Sequence, residues 1–366
     1  MRVLHIVATA QRRGAEVFAS DLVRALGRDG LEQHVAVLHP DHRELTYPAG
    51  TTDLSGGWRL PGLRVDAGVV RGLRRLIGRW APDVIQVHGG EPLKHVLLAN
   101  GGSNARVIYR RIGPAPAEIA QGARRAAHAR LMRRADAIVT VADVLREETI
   151  LTFGVAPGRV VTIPNAVDPA RLRATRSRAT VRAEFGIRTD TPLVASVGAL
   201  SPEKDPLTHV EVVRRARRLV PDTVHLVIGD GPLRPRLDAA ASANGRRLII
   251  AGSRPDVADL LAATDLVLLA SRSEGLPGCV IEAGMLGVPT AAFAVGGVPD
   301  AVVDGVTGVL VPPGHRGALA AGVGRLLLDR DRLDAMGAGA RDHCRARFQI
   351  RSAADHYRGL YEAVAR

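Results

Sequence analysis

The feature that most restricts the fold is an alternation that runs through nearly all 366 residues. Short apolar runs give way, again and again, to stretches with helical spacing. Val3–Thr9, Val35–Leu38, Val84–Val87, Val107–Ile112, Ala137–Val141 and Val160–Ile163 read as strands in the first part of the chain. Pro192–Val197, Val224–Ile228, Leu248–Ala251 and Leu266–Leu269 repeat the pattern in the second. Strand-like runs alternating with helical patterns predict parallel α/β units. Between the two series, residues 169–191 are rich in Arg, Thr and Ala and poor in apolar side chains, as a linker would be. The chain is long enough for two domains of ordinary size. The reading is therefore a first domain over 1–168, a linker over 169–191, a second domain over 192–348 and a last helix over 349–366.

Composition narrows the class. Hydrophobic residues make up 46% and charged residues 24%, the proportions of a globular protein. Aromatic residues are only 3%, which argues against a surface that stacks bases, so no nucleic-acid partner is expected. Val3–Ala10 is too short to span a membrane and reads as a first strand. Two cysteines, Cys279 and Cys344, are too few for a disulfide framework and predict a reduced, cytoplasmic protein. Charge is uneven: residues 1–185 hold 28 Lys and Arg against 17 Asp and Glu, while 186–366 hold 22 against 20. A basic half favours anionic partners, including an anionic membrane touched from the inner face, or is an ordinary solvated surface. The helix predicted over Asp66–Trp80 fits packing on a sheet, with Arg71, Arg74, Arg75 and Arg79 turned to water, better than a membrane face. A second basic helix is predicted over Pro116–Arg134, and the aperiodic stretch 39–66 reads as mostly loop.

Chemistry gathers on the loops after the strands, where open α/β sheets bind ligands. In SRSEGLPGCVIEA (271–283), Glu274 follows an apolar run, Gly275, Leu276, Pro277 and Gly278 follow it, and a helical pattern then carries Glu282. Proline suits the first turn of a helix, whose free N–H groups and dipole favour anionic oxygens. Eight helical positions span on the order of 12 Å, too far for two carboxylates to work on one bond but enough to grip both ends of a nucleotide sugar. The competing reading is a capped helix with two solvated glutamates. Glycine turns recur at Gly14, Gly198 and Gly229. Arg13 precedes the first of these, Lys204 follows the second, His88 ends the Val84–Val87 run, and Arg110 and Arg111 lie near the end of another.

Taken together these residues resemble retaining glycosyltransferases of family 4. The glutamate pair followed by AGMLGVPT (283–290), His88 after PDVI, IPNAVD (163–168), GALSPEKD (198–205), GSR (252–254) and GGVPD (296–300) occur in the family's order. The resemblance implies a GT-B fold, two Rossmann-like parallel-sheet domains facing a central cleft, with the last helix crossing back to the first domain. It implies that Glu282 holds the ribose hydroxyls and Glu274 the donor sugar, that Lys204 neutralises the diphosphate, and that Arg254 lies by the nucleobase. His88 would lie beside the reacting carbon, and Arg13, Arg110 and Arg111 are candidates for the acceptor side. Five family positions differ: Arg13, Ala166 and Asp205 replace glycines, Ala199 replaces an arginine and Asp300 replaces a glutamate.

The implied activity is transfer of a sugar, with retention, from a UDP- or GDP-linked donor to a hydroxyl of a natural-product, glycolipid or polysaccharide-precursor acceptor. That acceptor could be a small molecule or lipid-linked. The nucleoside-diphosphate sugar is a co-substrate, and no cofactor or essential metal is expected. An epimerase or hydrolase acting on the same nucleotide sugars is the alternative reading.

Overall fold

The computed structural model describes residues 1–27, 30–40, 44–54, 59–60, 65–115 and 122–366. They form two compact units: Met1–Ala166 with Ile350–Arg366, and Val167–Gln349. In the first unit the strands are β1 (Arg2–Thr9), β2 (Glu32–His39), β3 (Gly50–Asp53), the short antiparallel pair β4 (Arg59–Leu60) and β5 (Val65–Asp66), β6 (Val84–His88), β7 (Arg106–Arg111), β8 (Ala137–Thr140) and β9 (Val160–Thr162). All but β4 and β5 join one parallel sheet, in the order β3-β2-β1-β6-β7-β8-β9.

The second unit contains β10 (Leu193–Val197), β11 (Val224–Ile228), β12 (Leu248–Gly252), β13 (Leu266–Leu269), β14 (Thr290–Phe293) and β15 (Gly308–Val311). They form a parallel sheet in the order β12-β11-β10-β13-β14-β15. This is the doubly wound arrangement, in which chain order reverses between two central strands. Here the reversal falls between β10 and β13.

The apolar runs account for the parallel form. Strands covered on both faces read as near-continuous hydrophobic segments, and Val3, Leu4, Ile6 and Val7 are all fully buried. On one face of the first sheet, Leu4, Ile6, Ile85 and Val87 pack with Val69, Leu73, Leu76 and Ile77 of the helix Ala67–Trp80. On the other, Val3, Val84 and Ile108 meet Phe18 and Leu22 of the helix Gly14–Gly27, and Ala354, Tyr357 and Tyr361 of the helix Ile350–Ala365. The Tyr361 hydroxyl also donates to Gln86 Oε1 of β6 at 3.2 Å. Each fully buried aliphatic side chain contributes roughly 1.5–3 kcal/mol. The exposed arginines of Ala67–Trp80 add little beside that, which is why its apolar stripe faces the sheet.

Some expectations differ from what the chain does. The stretch 39–66 contains β3, a polar Gly-Thr-Thr-Asp strand that pairs with β2 at the sheet edge and so needs no apolar run. Positions 41–43, 55–58 and 61–64 of that stretch lie outside the described residues, as do 116–121 of the second basic helix, whose described part is Gly122–Met132. Residues 169–191, read as a linker, hold a 3-10 turn at Pro169–Leu172 and a helix at Arg178–Glu184, both within the second unit. Arginine there is a packing residue: Arg182 is 1% exposed, donates to Asp265 Oδ2 at 2.7 Å and caps the carbonyls of Ala263, Arg188, Thr189 and Thr191. A charge pattern that reads as solvated can thus be interior when carboxylates and carbonyls meet it. No helix among the described residues is long and apolar enough to cross a membrane.

Candidate active site

The reversal of strand order brings together the two loops that the sequence singled out. Lys204 lies on the loop after β10 and Glu274 on the loop after β13, and Lys204 Nζ donates to Glu274 Oε2 at 2.6 Å. The Glu274 side chain is 3% exposed and that of Lys204 30%. Burial alone would depress the Lys204 ammonium, but the Glu274 carboxylate outweighs it and the pKa is raised, so the cation is retained. Glu274 Oε1 is buried with no hydrogen-bond partner, as are the hydroxyls of Ser201 and Ser271 on the same two loops. Buried polar atoms left unpaired are uncommon and call for an explanation. Here they lie beside a retained cation.

Immediately after Glu274, Gly275–Pro277 lead into the helix Gly278–Met285, capped at Pro277. The first N–H groups of a helix have no partner within it. Glu282 sits inside this helix and accepts from Arg171 Nη2 at 2.7 Å. Arg171 comes from the 3-10 turn Pro169–Leu172, whose Asp168 cap accepts from Ala170 N at 2.9 Å. Sequence reasoning did not single out Arg171, because a lone arginine in an arginine-rich stretch carries no signal. Only the contact across 111 positions identifies it.

Two glycines hold these loops by close approach. Gly229, at φ 138°, would place a Cβ 2.0 Å from the Gly198 carbonyl oxygen, so the loops after β11 and β10 can touch only without a side chain. Gly296, at φ 52°, would place one 1.9 Å from the Glu274 carbonyl oxygen, and Gly297 N donates to Gly275 O at 2.6 Å. The Gly-Gly turn after β14 therefore clamps the backbone that carries Glu274. Asp205 takes the left-handed conformation, φ 44°, at a position where the resembled family has glycine. Its carboxylate accepts from Arg272 Nε at 2.8 Å and Thr208 Oγ1 at 3.0 Å, which compensates the backbone cost of about 1 kcal/mol. Burial would raise the Asp205 pKa, but Arg272 and Thr208 hold it low.

Arg254, expected by the nucleobase, follows β12 and is engaged within its own surroundings. It donates to both oxygens of Asp256, at 2.8 and 2.7 Å, and pairs with Glu184 at 2.9 Å. Those contacts raise its pKa, Asp256 first. Arg176 joins the same network through Asp256, Asp259 and Glu184. Ala199 is exposed and brings no charge.

In the first unit, His88 ends β6 and Arg110 pairs with it in register on β7. Both are buried, at 2% and 1% exposure. The Arg110 guanidinium lies 3.7 Å over the Phe18 ring and donates to Asn165 Oδ1 at 3.0 Å, while its Nε and Nη1 lack partners. Burial lowers the Arg110 pKa, and it raises that of Glu16, the buried acid near the start of the first helix. Burial also pushes His88 well below its ordinary value, with His5 and Arg110 adding to the effect. Arg111 points to the other side of β7 and is engaged by Leu145 O at 3.1 Å, Thr149 Oγ1 at 2.6 Å and Glu148 Oε2 at 2.6 Å. Gly14 opens the helix Gly14–Gly27, and both it and Arg13 are exposed at the end of β1. No cluster of three metal-ligating side chains occurs among the described residues.

Comparison with known proteins divides the chain as the strands do. A family model described as Glycosyltransferase Family 4 matches residues 12–171, and one described as Glycosyl transferases group 1 matches residues 177–343. Alpha-D-kanosaminyltransferase of Streptomyces kanamyceticus is 28% identical over 80% of this chain and 72% of its own length. The 2-deoxystreptamine glucosyltransferase of the same organism is 32% identical over 54% of this chain, a match that spans about half, 53%, of the relative. A D-inositol 3-phosphate glycosyltransferase of Xylanimonas cellulosilytica is 29% identical over 91% of this chain and 88% of its own. Among solved structures, Thermosynechococcus elongatus sucrose-phosphate synthase superposes with a TM-score of 0.83 at 20% identity, covering 100% of this chain and 99% of the other. Anabaena HepE in complex with UDP gives 0.79 at 18% identity, covering 99% and 100%. At these identities the likeness is one of fold.

Proposed function

Since the chain belongs to the family 4 glycosyltransferases of the GT-B fold, we propose that it moves a sugar from a nucleoside-diphosphate sugar, UDP-linked first and GDP-linked second, to an acceptor hydroxyl with retention at the anomeric carbon. The observation that carries the reading is the meeting of Lys204, Glu274 and the Gly278–Met285 helix entrance at the strand-order reversal. That is where doubly wound sheets hold nucleotides.

In this reading the diphosphate lies at the helix entrance beside Lys204, and Glu282 takes the ribose hydroxyls. Glu274, whose second oxygen is bare, takes hydroxyls of the sugar. The acceptor oxygen bonds to the anomeric carbon on the face from which the diphosphate departs, the carbon–oxygen bond to phosphate breaks, and the acceptor proton passes to the leaving phosphate oxygen. Lys204 and the helix N–H groups collect the developing negative charge, and preorganised donors of this kind are the largest single contribution in many enzymes. The charge is met in this scheme without an essential metal, and activity that persists with chelator present is the expected result. The named relatives act on 2-deoxystreptamine and D-inositol 3-phosphate, which supports a compact polyhydroxylated acceptor.

Calorimetric binding of UDP, GDP, ADP and dTDP to the wild type and to Glu282→Ala tests the site. One nucleotide should bind, and the variant should weaken it by roughly tenfold or more, the loss of hydrogen bonds to a charged group. Silence from all four nucleotides overturns the reading. The anomeric configuration of the product, by NMR, decides retention.

A further inference from the structure

We infer that Gln33 and His5 set the tautomer of His88, leaving its Nδ1 as a buried acceptor for a hydroxyl of the substrate. The inference rests on the functional reading above only for the word substrate; the relay itself rests on hydrogen bonds within the first unit. Three neighbouring strands contribute one residue each: Gln33 on β2, His5 on β1 and His88 on β6. The pairing Val3↔Gln33, His5↔Gln86 and His88↔Arg110 puts them on the sheet face covered by Gly14–Gly27 and Ile350–Ala365.

The proton positions follow from one end of the chain of contacts. Gln33 Nε2 donates to the Val23 carbonyl at 3.0 Å, which fixes the amide, since its oxygen cannot face that carbonyl. Gln33 Oε1 is then the atom 3.1 Å from His5 Nε2, so His5 carries its proton on Nε2. His5 Nδ1 has a lone pair and stands 3.2 Å from His88 Nε2, which must therefore donate. A neutral imidazole that donates from Nε2 has an acceptor at Nδ1. Burial keeps both rings neutral. His88 Nδ1 is buried and has no partner. It is the one open end of the relay, beside Arg110, at the carboxyl end of β6. Such an atom accepts from a hydroxyl and cannot donate to a phosphate oxygen. His5 and Gln33 are positioning residues in this scheme, acting through His88.

The direct test is long-range proton–nitrogen NMR on protein labelled at histidine, recorded near pH 7.5. The wild type should show His88 protonated on Nε2 and bare on Nδ1. His5→Phe and, as a milder change at a half-buried site, Gln33→Leu should admit the other tautomer. His5→Gln, which still offers an oxygen to His88 Nε2, should restore it. In sugar transfer, His5→Phe should lower kcat roughly tenfold, the effect of one lost hydrogen bond, while UDP binds as in the wild type. His5→Gln should recover most of the rate. A wild-type His88 protonated on Nδ1 overturns the relay whatever the activity. An altered tautomer with unchanged kcat overturns the contact with substrate. If UDP, GDP, ADP and dTDP all fail to bind, the functional reading has failed instead, and the NMR experiment, which needs no substrate, still decides the relay.

Discussion

Lys204 follows the carboxyl end of one parallel strand and His88 ends another, yet the two units treat their charge in opposite ways. Lys204 keeps its cation because a carboxylate lies 2.6 Å away, and Arg171 with Glu282 and Arg272 with Asp205 repeat the arrangement around it. His88 sits in a site where burial drives His5, His88 and Glu16 toward their neutral forms. Arg110, buried beside His88, is met by an amide and a ring rather than a carboxylate. In the proposed function the difference matches two tasks. Stabilising a leaving diphosphate needs full charge aimed at it. Positioning hydroxyls needs neutral donors and acceptors of fixed direction, which do not compete for that diphosphate.

The sharpest way to break this contrast is to remove the retained cation. Lys204→Ala should lower kcat by roughly two to three orders of magnitude, as the loss of one preorganised donor does. Its melting temperature should fall as well, because the Glu274 carboxylate, whose side chain is 3% exposed, loses its partner, so the rate is compared on folded protein. A rate within threefold of wild type would move the diphosphate away from Lys204. Next in size is Gly296→Ala, whose methyl group would fall 1.9 Å from the Glu274 carbonyl oxygen. A loss of about 3 kcal/mol in urea unfolding is expected, with donor affinity falling alongside; full stability would mean that the clamp yields.

Acid should then separate the buried histidines from the ion pairs. Burial pushes His5 and His209 down to about 4, and His209 Nε2 accepts from Ala270 N at 2.7 Å, a role that needs the neutral ring. Both are neutral when folded and take a proton near pH 6.5 when unfolded. Their stabilisation is whole above 6.5 and is lost as pH falls from there toward 4, by about 3 kcal/mol each. Urea midpoints at pH 7.5, 5.5 and 4.5 should fall in that order, less steeply in His209→Gln. A flat profile would rule out the buried neutral state. The smallest effect belongs to Arg254→Ala. It should destabilise by about 1 kcal/mol through its partly exposed network and leave UDP affinity nearly unchanged. A large affinity loss would support the expected place of Arg254 by the nucleobase.

Much of this was legible in the chain itself. Continuous apolar runs specify buried parallel strands, and glycine turns after them specify loops that approach one another, so Glu274, Lys204, Glu282 and His88 stand out before any coordinates. The Gly-Gly turn at 296–297 was visible as a motif, though not its grip on the Glu274 backbone. Edge strand β3 was not legible, because a strand paired at a sheet edge with polar residues has no apolar signature. Residues 169–191 looked like a linker because arginine is read as solvent-facing, whereas Asp265 and a set of carbonyls draw Arg182 inside.

Sequence alone determined which residue types stand at which strand ends, since strand burial and turn geometry are local constraints written in hydrophobicity and glycine. Tertiary structure alone decided who meets whom: Arg171 with Glu282 across 111 positions, Arg254 with Glu184, and Gln33 through His5 to His88. Charge pairing and proton position depend on distances of about 3 Å between side chains far apart in the chain. Only the strand order of the folded sheet sets those distances.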